Sequence, residues 1–317
     1  MRNNYILAFC LLLVACKGDN RGGLPASTGK PYEVLVVAES PTAEKSVTDV
    51  LATPVEALPQ REPQFDGTFC YRRRFDDMHR LARNIVVIDE DKRQYTKVAL
   101  RYERNVYAAP QMVIRIQTPD SQSLNRAMNG KLGKELLSLL NRHELTVARR
   151  QLERQHNPKA EERIRQMFGI DMLIPADMTA SKQRKDFLWL SNNANTGMQN
   201  LCVFTGDIDS VLRVNIKGET DEMYMKRERG RMGERERERK GEKELEKQRA
   251  REKENEGTAI RRGLWVMEGD AMGGPYVART LYTPQGKSLT VFAFVYAPES
   301  AKRNKMRQLE AAMIVHE

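Results

Sequence analysis

Hydrophobic positions along this chain fall into short runs of strand character, separated by longer stretches of helical period. Residues 32–38, entered after Pro31 and rich in valine, read as a buried first strand. Residues 41–51 follow as a helix, with Thr42 placed to cap it. Residues 69–75, 84–88, 97–101 and 112–116 are further strands, the second an unbroken apolar run. A long helical region then opens at Asp120 or Ser121 and carries Leu132, Leu136, Leu139 and Leu140 on one face. It extends to residue 155, and Pro158 starts another helix over 158–168. In the second half, 170–174, 186–190, 201–204 and 263–267 read as strands, the second and third as a pair. Residues 276–282 and 289–296 flank a Thr-Pro-Gln-Gly-Lys turn and predict a hairpin. Residues 300–314 form a closing helix with Leu309 and Met313 on one side. This order predicts an α+β fold with a mixed or mainly antiparallel sheet and helices on one side. Two similar halves, 31–165 and 166–317, are compatible with it, although the residues show no repeat.

The N-terminus adds a location. Arg2 precedes an apolar stretch of 11 residues, Tyr5 to Ala15. A membrane span needs about 20 apolar residues, so this is the hydrophobic part of a signal peptide covering residues 1–15. It ends in Leu13-Val14-Ala15-Cys16, which resembles the bacterial lipobox, where the cysteine thiol is acylated and becomes residue one after cleavage. Residues 16–30 are polar and glycine-rich, as a flexible tether would be. Lys17 stands where an aspartate would retain the protein in the inner membrane. The expectation is an outer-membrane lipoprotein of the cell envelope, facing periplasm or surface and held by its acyl chains.

Charge alters that picture little. With 53 Lys and Arg against 43 Asp and Glu, the chain carries a net +10 in 317 residues. Such a balance suggests nucleic acid. Much of the charge, however, lies in a low-complexity insert at 221–257, where residues 226–256 hold 13 basic and 10 acidic side chains. Mixed signs make a poor phosphate-binding surface, so no nucleic-acid partner is expected. Three glycines and like charges four residues apart oppose a stable helix there, and a solvated, partly helical or disordered loop is expected.

Motifs with chemical content are few. Gly286-Lys287-Ser288 resembles the end of a phosphate-binding loop, but Leu281 stands where the motif demands glycine. Four scattered histidines and four cysteines give no metal-ligand spacing, and neither a metal nor a cofactor is expected. Cys70 and Cys202 read as small core residues, with a disulfide as the alternative. Asp76-Asp77, Asp89-Glu90-Asp91 and Asp207/Asp209 supply paired carboxylates, which do acid–base work only if the fold holds them across a substrate. The densest unusual stretch is 263–276. Trp265, Asp270, Met272, Gly273, Gly274, Pro275 and Tyr276 there form a candidate pocket, with a tight turn around a core tryptophan as the alternative.

Arg83-Asn84-Ile85, Phe187-Leu188-Trp189, Gly263-Leu264-Trp265, the Asp270 to Tyr276 motif and Phe294-Val295-Tyr296-Ala297-Pro298 with Asn304-Lys305 resemble one family. It is a family of uncharacterised lipoproteins from Gram-negative gut bacteria, a domain of unknown function. The resemblance runs from about Lys30 to the C-terminus. It implies an envelope location and assigns no activity. The resulting expectation is an anchored, non-enzymatic binding or envelope-maintenance protein with a protein or glycan partner. The alternative is an envelope hydrolase acting on glycan or peptide through Asp207, Asp209 or Asp270.

Overall fold

The structure, a computed structural model, describes residues 23–206, 225–228, 260–267, 272–282 and 288–314. Among the described residues, six helices accompany two sheets, one mixed and one antiparallel, in an α+β fold. The first sheet has strand order β2-β1-β3-β5-β4. Its strands are β1 (Glu33–Ala38), β2 (Asp66–Tyr71), β3 (Asn84–Glu90), β4 (Ala99–Arg104) and β5 (Met112–Thr118). The first three and β5 are parallel, and β4 is an antiparallel edge. Val34, Val36, Val86, Ile88, Ile114 and Ile116 point to one face. Helices α1 (Pro41–Leu51), α3 (Ser121–Met128) and α4 (Lys131–Arg154) cover that face through Val47, Leu51, Leu124, Leu136 and Leu140. The alternate residues Val37, Ile85, Val87 and Val113 face Phe75 and Tyr107 on the other side, with Cys70 among them. The short helix α2 (Asp77–Arg80) lies between β2 and β3.

The second sheet is antiparallel, in the order β6-β7-β8-β12-β11-β10-β9. Its strands are β6 (Ala180–Arg184), β7 (Phe187–Ser191), β8 (Met198–Thr205), β9 (Met225–Glu228), β10 (Ile260–Met267), β11 (Gly273–Tyr282) and β12 (Ser288–Tyr296). Period-two alternation sorts its residues by chemistry. Leu188, Leu190, Leu201, Val203, Val291 and Val295 face helices α5 (Pro158–Phe168) and α6 (Arg303–Ala312). Phe187, Phe204, Trp265, Tyr276, Phe292 and Phe294 occupy the opposite face. Trp265 meets Phe294 edge-on at 5.2 Å, and Tyr276 stacks on Phe292 at 5.1 Å. Cys202 is buried on this aromatic face, so it and Cys70 are free thiols in two different cores.

Several local expectations are corrected. The end of the segment expected as a flexible tether, 16–30, is bonded to the first sheet's loops: Ala109 N–H donates to the Pro25 carbonyl at 2.8 Å, and Thr28 N–H to that of Leu81 at 2.7 Å, because its backbone groups find partners there. Ser40, not Thr42, caps α1, because its extended backbone lets the hydroxyl accept from Ala43 N–H. The strand expected at 69–75 ends at Tyr71 and gives way to a 3-10 turn over Arg72–Arg74. The long helix from Asp120 breaks at Asn129-Gly130 into α3 and α4, since glycine there weakens helix continuity. Residues 170–174 form no strand. Met172 and Ile174 are buried beside α5, and the Ile174 carbonyl accepts from Asn157 N–H at 2.8 Å. Within the charged insert expected as a loop at 221–257, Met225–Glu228 form strand β9, paired with β10; the rest of the insert lies outside the described residues.

The two sheets meet through α6. Its first amides, Lys302 and Arg303 N–H, donate to the two oxygens of Glu62 at 2.7 and 2.9 Å. Glu62 thus places negative charge on the positive end of the helix from a loop of the first sheet. Arg303 also donates to the Pro63 carbonyl at 2.8 Å and to Asp66 at 2.7 Å. At the other end, Arg149 of α4 donates to the Ile314 carbonyl at 2.8 Å, and Arg279 of β11 to that of Met313 at 3.2 Å. Tyr32, buried and at φ 66°, lies under the guanidinium groups of Arg303 and Arg307 at 5.6 and 5.9 Å. A bulky residue at positive φ is strained, and this sandwich offsets that cost. Replacing Glu62 with Ala leaves the amides at the helix start without their charged acceptor. The change should destabilise the fold by about 2 kcal/mol, read as a lower urea midpoint; an unchanged midpoint would show that Glu62 contributes nothing to the junction.

Candidate functional site

The residues singled out at 263–276 are placed by the pairing of β10 with β11. Gly263 lies opposite Tyr276, and Trp265 opposite Gly274. Each aromatic ring therefore covers the glycine of the neighbouring strand. A Cβ on Gly263 would stand 2.7 Å from the Tyr276 ring, and one on Gly274 2.1 Å from the Val295 carbonyl. The glycines are required by close approach. Trp265 and Tyr276 are buried in the aromatic layer, and Trp265 Nε1 donates to the Val295 carbonyl at 3.3 Å. Pro275 is buried, Gly273 and Met272 partly so. Asp270 lies outside the described residues, as do Asp207, Asp209 and Cys16.

Two cavities stand out elsewhere. The first, about 250 Å³, opens at the amino ends of β1 and β3 between Glu33, Thr68, His79 and Arg83. Its charges are internally compensated. Arg83 Nε donates to the buried Glu144 at 2.9 Å, and Asn84 Nδ2 donates to the same oxygen at 2.7 Å. Open parallel sheets bind ligands at their carboxyl ends, and this cavity is at the opposite end.

The second cavity, about 280 Å³, lies where α4, α6, β10 and β11 converge. Arg142 comes from α4, Arg262 from β10, Arg279 from β11, and Arg307 with Glu310 from α6. Four guanidinium groups thus surround a single carboxylate. Glu310 pairs with Arg262 at 3.0 Å and with Arg307 at 2.9 Å. Among the described residues Arg142 and Arg279 pair with no carboxylate. Three side chains of this wall keep a buried polar atom without a hydrogen-bond partner: Asn141 Oδ1, Arg279 Nε and Arg307 Nε. Buried polar atoms in folded proteins almost always have partners, so three on one wall single the cleft out. Leu145, Val277, Met313, Ile314 and the half-exposed Ile260 supply an apolar side. Burial raises the Tyr32 hydroxyl well above its ordinary range, so the phenol at the cleft's edge is neutral.

These arginines and Glu310 escape notice in the sequence because they come from three distant segments. One signal is nevertheless present. Along β11, Arg279 shares the alternation phase of Val277, a core-facing position, and Arg262 shares that of Leu264. A charge at an inward phase marks a place where the core gives way to something polar.

Among the described residues no group of three or more His, Cys, Asp or Glu side chains is placed to hold a metal ion. No described helix is long and apolar enough to cross a membrane.

Comparison with known families divides the chain at the end of α4. Residues 27–153 match a model described as Domain of unknown function (DUF8532). Residues 157–314 match another, Domain of unknown function (DUF4837). The two matches fall on separate parts of the chain, and the second cavity draws its lining from both. No curated protein and no solved structure matches it.

Next to the first cavity, His143 of α4 is buried and its ring Nε2 has no partner. Burial, followed by the charges of Arg83, Arg104 and Arg150, lowers its pKa from 6.5 to about 4. The unfolded chain therefore takes up this proton near pH 6.5, and the folded chain only near pH 4. Stability present above pH 6.5 is lost as the pH falls toward 4, by at most about 1.4 kcal/mol per pH unit. Urea midpoints measured from pH 7 to 4 should fall less steeply in His143→Gln than in the wild type; parallel profiles would remove His143 from the account.

Proposed function

We propose that this chain is a lipid-anchored, non-enzymatic binding protein of the cell envelope, and that its folded body takes an acidic ligand in the cleft between the two sheets. The observation that carries the binding function is the excess of four guanidinium groups over one carboxylate around a single cavity. Guanidinium is the side-chain group best matched to carboxylate and phosphate oxygens, through paired N–H donors. Clustered positive charge within low-dielectric walls also raises the local concentration of anions. The sequence Leu13-Val14-Ala15-Cys16, followed by a polar tether, supports attachment through Cys16 to acyl chains at the outer membrane. A body on such a tether meets soluble or membrane-borne envelope molecules without itself entering the bilayer.

Two measurements test the two parts. Cells expressing the full chain, fed a palmitate analogue, should label it and retain it in the membrane fraction. Cys16→Ala should lose both label and membrane retention, whereas a membrane-bound, unlabelled wild type would refute lipidation. Inorganic phosphate at tens of millimolar should raise the thermal midpoint above that in chloride of equal ionic strength. Arg142→Ala combined with Arg279→Ala should remove that rise; an equal rise in this variant would place the bound anion elsewhere.

A further inference from the structure

The lining of the cleft narrows its ligand further, on the premise that the cleft binds anions as proposed above. Its polar side offers donors in excess. Arg142 and Arg279 lack carboxylate partners among the described residues, and Arg279 Nε and Arg307 Nε lack any acceptor. The same wall also holds one acceptor without a donor, Asn141 Oδ1. A carboxylate offers two acceptor oxygens. A phosphate monoester, largely dianionic near neutral pH and more so beside guanidinium groups, offers three. That larger set of acceptors suits the excess of donors.

Apolar residues share the lining. Val277 and Met313 are buried, and Leu145 and Ile314 are half buried. Ile260, 48% exposed, forms a lip. A free inorganic anion would leave this surface wet, whereas a hydrocarbon stem would cover it at about 25 cal/mol per Å². The volume of about 280 Å³ lies at the small end of ligand pockets, enough for a head group and a short stem.

We infer that the cleft binds a phosphate monoester carried on an apolar stem, its head facing Arg142, Arg279 and Arg307 and its stem lying along Leu145, Ile260 and Ile314. Both matched regions are needed at once, since Tyr32 and the α4 residues come from the first and the remaining lining from the second. Ligand binding therefore bridges the two domains beside the α6 junction.

Calorimetric titration of the full chain tests this, with octyl phosphate below its micelle concentration as the probe. Inorganic phosphate, glycerol 3-phosphate and octanol are the comparison probes. Octyl phosphate should bind at least about tenfold more tightly than each of the three. Arg142→Ala, a change at an exposed position of α4, should weaken it about tenfold, and Arg279→Ala by at least as much. Ile260→Asp, at the exposed lip, should weaken octyl phosphate and leave glycerol 3-phosphate unchanged. Circular dichroism of each variant confirms that the fold is retained. Lysophosphatidate binding as tightly as octyl phosphate would point to a lipid source of the ligand and weaker binding to a soluble one, and both outcomes support the stem.

Equal affinity for inorganic phosphate, glycerol 3-phosphate and octyl phosphate, with arginine dependence intact, would overturn the stem and leave the anion site standing. Equal affinity for octanol and octyl phosphate would overturn the charged head. Absence of arginine-dependent binding for every probe would overturn the binding function together with this inference.

Discussion

The architecture depends on the electrostatic clamp around α6. A helix end leaves amides or carbonyls without internal partners, and the aligned peptide dipoles give each end a partial charge. Glu62 answers the amino end of α6, and Arg149 and Arg279 answer the carboxyl end. Two of these three residues come from the first domain, so satisfying the helix and docking the domains are one event. Lys302 and Arg303 are almost fully buried at this junction. Such burial is expensive unless each charge is paired or hydrogen-bonded: Lys302 Nζ donates to Gln60 and to the Ser300 carbonyl, and the Arg303 guanidinium to Asp66 and to the Pro63 carbonyl.

The cleft follows from the same clamp. Arg279 caps α6 through Nη1 and lines the cavity with the rest of its guanidinium. Arg307 reaches Gln64 across the junction at 3.0 Å and Glu310 on its own helix. The arginines that join the domains thus also create a positive wall with hydrogen-bonding capacity left over. Structural ion pairs alone would have balanced four cations with more than one carboxylate. The imbalance is what separates this cavity from the compensated Arg83–Asn84–Glu144 network at the amino end of β3.

Much of the secondary structure was readable because local periodicity and burial agree. In Phe187-Leu188-Trp189-Leu190 and in the run from Val291 to Tyr296, aromatic and aliphatic residues alternate, and the sheet places them on opposite faces. Pro158 and Pro41 begin helices α5 and α1 as their fixed φ favours. The glycines at 263 and 274 drew attention in the sequence, but their reason lay in the neighbouring strand, where an aromatic ring covers each. Residues 170–174 carry strand-like composition, yet the Ile174 carbonyl bonds to Asn157 at the start of α5, and Met172 and Ile174 are buried between α5 and the second sheet.

By itself the sequence determined the α+β class and the position of many of the described elements. These are properties of contiguous residues, encoded in periods of two and 3.6 and in short motifs. The tertiary structure alone decided which charges meet. Arg142, Arg262, Arg279, Arg307 and Glu310 are separated by up to 168 positions, and nothing local marks them as neighbours. Their convergence depends on where α4 packs against α6, a contact set by burial of apolar faces and by the capping of one helix from two domains. Side-chain charge is specified residue by residue, but the field it produces depends on distance, and the fold sets those distances.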